Sequence, residues 1–294
     1  MQNVQVRSKQ KMEIFGIILL GKNCIGRPLI RAPYFGSRYN MEDKLNFKGH
    51  FKIQAIDQNN IVIDEWQDDN MIMETARTTM SELFANLSTS TFINKVTLGT
   101  LGHVGDSILV PKGKDEGFVI ERTRLFSEVL TGAITPGQTV AVIRKNDVLH
   151  IDATSNDAKG YYRFLQADVQ NYVVNDIVIT DPDSWEFLGT TAPYTYSLNF
   201  ELPGDNGGGL GGDAVNLTED ETNAGSAVKV LQSGSSVTFT IDIATGAANG
   251  QNETTSVFTE AALYANSRIF AMKTFKAKVK DSTVLLRIIW TITF

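Results

Sequence analysis

Paired carboxylates are the first residues in this sequence that suggest chemistry: Asp64/Glu65, Asp68/Asp69, Asp181/Asp183 and Glu219/Glu221. Two acids held roughly 5–9.5 Å apart can cleave a glycosidic bond, one as acid and the other as base or nucleophile. In a chain with 33 acidic residues such neighbours arise by chance, and most of these sit in turn-like sequence. The chain also lacks the regular short repeat of a parallel β-helix, a scaffold that carries many polysaccharide-cleaving enzymes. His50, His103 and His150 are far apart and form no i, i+4 metal pair. Asp205, Asp213, Asp220 and Glu221 do not have the spacing of an EF-hand calcium loop. The run Pro203-Gly-Asp-Asn-Gly-Gly-Gly-Leu-Gly-Gly-Asp213 follows a strand-like segment but opens no amphipathic helix, which a phosphate cradle needs. It reads as a surface loop. No Gly-x-Ser-x-Gly elbow, Walker loop or zincin motif occurs. The sequence therefore assigns no catalytic, cofactor-binding or metal-ligating residue, and predicts a chain that is not an enzyme and carries no cofactor.

Composition narrows the partners. Of 294 residues, 42% are hydrophobic and 20% charged, which suits a folded chain with a sizeable core. Lys and Arg number 27 against 33 acids, a net charge of −6. An acidic surface argues against general binding to nucleic acid, although Lys273, Lys276, Lys278 and Lys280 form a local basic row. A single cysteine, Cys24, excludes an intrachain disulfide framework and suits a reducing compartment. Residues 14–20 are apolar and follow Arg7, Lys9 and Lys11, the outline of half a signal peptide. Gly16 and the lack of a small-x-small site before Arg27-Pro28 favour a buried strand instead. No segment reaches the ~20 apolar residues of a membrane helix, so a soluble chain without a membrane partner is expected.

The elements that must position these side chains are mostly strands. Phe51, Ile53 and Ala55 alternate with Lys52 and Gln54. Asp57-Gln-Asn-Asn60 is turn chemistry, and Ile61-Val-Ile-Asp-Glu-Trp66 resumes a strand, which together predict a β-hairpin. Met73, Ala76, Met80, Leu83, Phe84 and Leu87 share one helical face and predict a helix over 72–87, with Asp68-Asp69-Asn70 at its positive end. Residues 93–98 read as a strand, and 138–152 as a second hairpin turning at 145–147. Further strands are expected at 172–180, 194–202, 227–231, 237–243, 257–264, 268–275 and 283–294. In the last, Val284, Leu286, Ile288, Trp290, Ile292 and Phe294 alternate with Leu285, Arg287, Ile289, Thr291 and Thr293. A strand this apolar must lie inside its sheet or under a neighbouring subunit, because an open edge of that kind aggregates.

The fold class that follows is mainly β: an antiparallel β-sandwich, jelly-roll-like, with one amphipathic helix and an extended N-terminal arm. The organisation reads as an arm over 1–45, a hairpin–helix part over 46–110 and a C-terminal part of the sandwich over 172–294. Residues 111–171 are either an inserted β subdomain or more strands of the same sandwich, with the insertion preferred.

Three segments carry a resemblance. They are the hairpin–helix unit leading to Ile93-Asn-Lys-Val-Thr-Leu-Gly-Thr100, the Glu121-Arg-Thr-Arg124 run, and Phe258-Thr-Glu-Ala-Ala-Leu-Tyr264 with the strands after it. Together they resemble scaffold segments of tailed-bacteriophage structural proteins, where the closing hairpins usually open with Glu-Ala-Gly-Leu-Phe. Here Ala262 stands where Gly is common, and Lys273 lies within a segment that often carries Arg. The resemblance covers about 47–100 and 257–294 well and the middle poorly, and its motifs are not catalytic. It implies a virion component of a tail, baseplate, collar or fibre, assembled in the host cytoplasm, with other copies of itself and other virion proteins as partners. The alternative is a receptor- or glycan-binding fibre module that stacks Trp66, Trp185, Tyr194 or Tyr196 on a host-surface glycan; a polysaccharide depolymerase ranks below both.

Overall fold

The computed structural model describes residues 47–85, 93–130, 137–152, 159–174, 182–201, 216–217, 225–250 and 255–294. All of them belong to one compact unit, Leu45–Phe294. The expected N-terminal arm, Cys24, Leu87, the Gly-rich loop and the acids Asp181, Asp205, Asp213, Glu219, Asp220 and Glu221 lie outside the described residues.

The N-terminal hairpin forms as its alternation predicts. Strand β1 (Lys48–Ile56) pairs antiparallel with β2 (Val62–Ile72). Asp57 closes the turn by accepting the backbone N–H groups of Asn59 and Ile61, and Asn60 takes the left-handed conformation that asparagine tolerates. β2 runs further than its alternation suggests, so Asp68, Asp69 and Asn70 lie within the strand and do not precede a helix. Helix α1 is correspondingly short (Glu74–Phe84). Its first donors need no side-chain cap, because the N–H groups of Met73 and Glu74 reach the carbonyls of Phe270 and Ile120. Ala76 and Thr79 are buried and Met80 packs against the core, but the expected apolar face stops there: Leu83 is 39% and Phe84 76% exposed.

The strands that follow are β3 (Ile93–Gly99), the two-stranded pair β4 (His103–Val104) and β5 (Ser107–Pro111), and then β6 (Thr139–Ile143), β7 (Val148–Ile151), β8 (Gly160–Phe164), β9 (Val169–Val173) and β10 (Trp185–Gly189). The chain then returns through β11 (Thr195–Glu201), β12 (Asn216–Leu217), β13 (Ala227–Ser233), β14 (Ser236–Ile243), β15 (Ser256–Ala265), β16 (Arg268–Lys280) and β17 (Leu285–Thr293).

Ten of these strands form one antiparallel sheet, in the order β12-β11-β3-β15-β16-β2-β1-β17-β14-β13. The sheet nearly closes on itself as a barrel-like sandwich, so the mainly-β expectation with one helix holds. β17 lies between β1 and β14, paired along its length with both. Leu286, Ile288, Trp290 and Ile292 are fully buried on its inner face, whereas Phe294 is half exposed. On the outer face Arg287 makes a two-pronged ion pair with Asp242, at 2.7 Å for each contact, and Thr291 meets Thr238 at 3.0 Å. At the centre of the principal core Phe51 packs edge-on to Trp290 (4.7 Å) and stacks on Phe275 of β16 (5.3 Å), joining the two halves of the sandwich.

β2 and β16 are hydrogen-bonded only at Ile72–Ala271 and Met71–Met272. Beyond that point lysines span the divergence: Lys273 reaches Asp68 at 2.8 Å and Lys278 reaches Asp64 at 2.6 Å. Lys280 is fully buried and donates to Asn249 Oδ1 and to the carbonyls of Thr245 and Asp281.

A second apolar cluster, including Val140, Ile143, Tyr162, Phe164 and Trp185, sits among smaller sheets. The expected 138–152 hairpin does not form there. A turn does occur at 144–147, but β6 pairs with β9 and β7 with β8, which in turn pairs with β10. The turn residues are committed to other elements, as Asn146 donates to the Glu116 carbonyl and Asp147 accepts from Arg122. These contacts separate the two strands.

Trp290→Ala removes the largest fully buried side chain from the strand with a neighbour on each side, and is expected to cost about 3–5 kcal/mol. Phe84→Ala is expected to change stability by less than about 0.5 kcal/mol. Urea denaturation of both variants checks the contrast.

Candidate functional site

Among the described residues the paired acids, Asp64/Glu65 and Asp68/Asp69, do not converge. Neighbours in a strand point to opposite faces, and β2 separates its acids in this way. Asp64 meets Lys278, while Glu65 meets Lys52 at 2.8 Å and Gln54 at 2.6 Å. Asp68 meets Lys273, while Asp69 lies 3.5 Å from His50. His150 stacks on Tyr161, and half-buried His103 has its titration pushed down, first by burial and then by Lys112. Among the described residues no three His, Cys, Asp or Glu side chains are grouped to hold a metal ion. Three members of the basic row, Lys273, Lys278 and Lys280, are engaged with acceptors as described, and Lys276 is exposed.

The four aromatics nominated for sugar stacking are packing residues. Trp185 is buried with Phe164, and Tyr196 belongs to the principal core. Trp66 and Tyr194 are partly buried against that core, Trp66 beneath Lys273 and Tyr194 beside Phe258. Sequence alternation identifies such residues as β-face residues without telling an inner face from an outer one.

The charged residues that do come together form a buried joint. Glu260 projects from β15 into a fully buried position opposite Gly99 of β3. Its carboxyl accepts the backbone N–H groups of Phe126 and Ser127, each at 2.8 Å, and the Ser127 hydroxyl. The same hydroxyl oxygen accepts the N–H groups of Thr100 and Leu101. A Cβ on Gly99 would lie 2.5 Å from the carboxyl oxygen, and one on Gly102 2.5 Å from the Thr259 carbonyl. Only glycine permits this approach. Burial pushes the Glu260 carboxyl above its ordinary value, against the Ser127 hydroxyl, the Phe126 N–H and the Arg122 guanidinium, which all favour the carboxylate.

Arg122 extends the joint toward the smaller sheets. It is 1% exposed, lies 3.8 Å from the Phe126 ring centre and donates to Asp147 at 2.7 Å. Asp147 also accepts the Arg144 N–H, so one carboxylate fixes both the turn and the guanidinium. Lys112 is buried with its ammonium 5.3 Å from the Phe126 ring centre, donates to the His103 carbonyl and is held down to about 8, mainly by burial. Glu128 accepts from the Leu125 N–H and the Tyr264 hydroxyl.

An open groove of about 610 Å³ flanks the joint, between residues 138–142 on one side and Arg124 and Leu130 on the other. A smaller cleft of about 190 Å³ shares Arg124, Leu130 and Val142 with it and reaches Arg122, Arg144 and Asp147.

Sequence reading singled out Glu260, Gly99 and Arg122 only as parts of motifs, and Asp147 only as a turn residue. The legible signal was an acid inside an otherwise apolar strand, Phe258-Thr-Glu-Ala-Ala-Leu. Nothing local indicated that Gly99 and the Arg122 segment would meet it. In comparisons with known proteins, no family model, no curated protein and no solved structure matches the chain.

Two outcomes test the joint. Asp147→Ala leaves the Arg122 charge buried without its carboxylate and is expected to cost about 3–5 kcal/mol, whereas Arg122→Met with Asp147→Ala loses much less than the sum of the two single changes. Additive losses in a urea double-mutant cycle would contradict the coupling. Lys112 titrates at about 8 in the fold against an ordinary 10.5, so its neutral form is favoured there. Its contribution is fully present above 10.5 and is lost as pH falls through 8. Lys112 is expected to contribute a slope on the order of 1 kcal/mol per pH unit between those values, and Lys112→Met to remove that share. Lys280 shifts in the same direction, to about 8, and adds a share of its own.

Proposed function

We propose that this chain is a structural component of a tailed-phage virion, acting through subunit–subunit contacts and not through catalysis. The observation that carries the reading is the convergence of its motif segments. Gly99 ends the Leu-Gly strand, Arg122 is the second residue of the Glu121-Arg-Thr-Arg124 run and Glu260 opens the closing hairpins. These residues lie far apart in sequence, yet they build one buried joint, with Glu260 facing Gly99 and acting on the Arg122 charge. Segments that resemble virion scaffold segments thus do scaffold work in this fold. Glu260 and Arg122 are committed to holding strands and loops together.

The surface supports the same reading. Ile61 and Ile63 at the first hairpin are 58% and 57% exposed, and Ile108, Leu109 and Val110 on β5 are 40%, 63% and 49% exposed. Runs of apolar side chains in water suit burial against another chain. The glycan-binding alternative has no comparable support, because its four named aromatics are occupied in packing.

Light scattering on the purified chain is expected to give a closed oligomer, a whole-number multiple of 32.4 kDa, and a particle reconstruction to place it in the virion. A stable monomer that never enters particles would overturn the proposal.

A further inference from the structure

The groove beside the joint has the geometry of an open strand edge. Five consecutive residues, 138–142, line it. Successive side chains of a strand point to opposite faces of its sheet, so a surface touched by all five must run along the edge and not across a face. β6 has one strand partner among the described residues, β9, antiparallel, with Ala141 and the left-handed Asn171 left out of the pairing. The ladder begins where the Val174 N–H donates to the Gln138 carbonyl. Alternation then turns the backbone groups of Val140 toward β9 and those of Thr139 toward the groove, while Ala141 has no partner in the β9 ladder.

Among the described residues that line the groove the charged side chain is Arg124, and two further arginines line the adjoining cleft. Arg122 is paired with Asp147, and Arg144 with Asp168 at 2.9 Å. Arg124 donates to the Leu130 carbonyl and has no carboxylate partner among the described residues. The groove thus offers backbone donors and acceptors along one wall, apolar contact from Leu130 and Val142, and an uncompensated guanidinium.

We propose that this groove takes an extended, acidic segment of another polypeptide chain, which adds as a strand to the Thr139–Ile143 edge and places a carboxylate on Arg124. Main-chain pairing supplies the affinity, and the guanidinium selects a segment bearing an acid. Apolar side chains of the guest lie against Leu130 and Val142. The assignment goes beyond the virion reading and does not depend on it; within that reading the guest strand belongs to a neighbouring subunit.

The test uses the full chain and a pool of acetylated, amidated hexapeptides built from Thr and Val with one central Glu, beside a twin pool with Gln at that position. Amide hydrogen exchange resolved by residue is the first readout. The Glu pool is expected to slow exchange at Thr139 and Ala141 and to leave Val140 and Val142, already in the ladder, unchanged. The Gln pool is expected to bind about tenfold more weakly. Arg124→Gln removes that difference and Arg124→Lys keeps part of it. Ala141→Pro deletes an outward N–H, which an edge strand tolerates, and abolishes binding. Unaltered exchange at Thr139 and Ala141 at saturating Glu pool overturns the proposal without recourse to any variant. So does equal binding of the two pools to the unaltered chain, or a response to glucuronate or inorganic phosphate but to neither pool. Because these readouts are local to the groove, their failure leaves the oligomer and particle measurements to decide the virion reading separately.

Discussion

A carboxyl group held inside an apolar sheet is the constraint around which the middle of this molecule is arranged. Burying Glu260 without partners would cost several kcal/mol, so the fold must bring donors to it. They come from a segment more than a hundred residues earlier, the N–H groups of Phe126 and Ser127 and the Ser127 hydroxyl. Once that segment is fixed, Arg122 lies over Phe126 and reaches Asp147, and Asp147 fixes the turn that separates β6 from β7. The acid in β15 is thus one anchor of the smaller sheets, beside contacts such as Thr274 to the Lys112 carbonyl and Asn146 to the Glu116 carbonyl. Gly99 and Gly102 belong to the same requirement, since any side chain there would occupy the space of the carboxyl or the adjacent backbone.

The sandwich itself rests on a different kind of interaction. β17 buries four large apolar side chains on one face and ties its outer face to β14 by an ion pair and threonine contacts. Its position between β1 and β14 answers the hazard that its sequence poses, because no edge of so apolar a strand is left open. Where the ten-stranded sheet bends between β2 and β16, hydrogen bonding stops and lysine–aspartate pairs take over. Lysine suits that place: its long aliphatic stem crosses apolar surface while the ammonium reaches a distant acceptor. What looked in sequence like a basic patch is in large part a set of struts.

Features decided by neighbours in sequence were legible, and those decided by distant partners were not. Alternation placed β1, β2, β15, β16 and β17, and the Asp57–Asn60 turn, because side-chain period and turn chemistry are local. The start of α1 was misplaced because its first donors are met by Phe270 and Ile120, not by a cap in the preceding residues. The 138–152 hairpin was misread because a turn fixes the direction of the chain without fixing which strand it meets. Trp66, Trp185, Tyr194 and Tyr196 looked available for stacking because the period of a strand marks its two faces equally. Glu260 was visible as an anomaly, an acid among apolar residues, and its meaning depended on contacts that only the fold supplies.

The contrast between β17 and β6 bears on how a chain of this kind engages others. Both are strands in antiparallel sheets, and an antiparallel strand satisfies its backbone only when it has a neighbour on each side. β17 has two such neighbours, so neither of its edges is open to another chain. β6 has one among the described residues, and its outward side faces a groove that Arg124 also lines. Exposed edges are a liability unless they are short, charged or intended for pairing. This edge is five residues long, and its nearest uncompensated charge is a single arginine. Arg124 follows Arg122 by two residues, so the guanidinium beside that edge is carried by a segment the buried joint anchors.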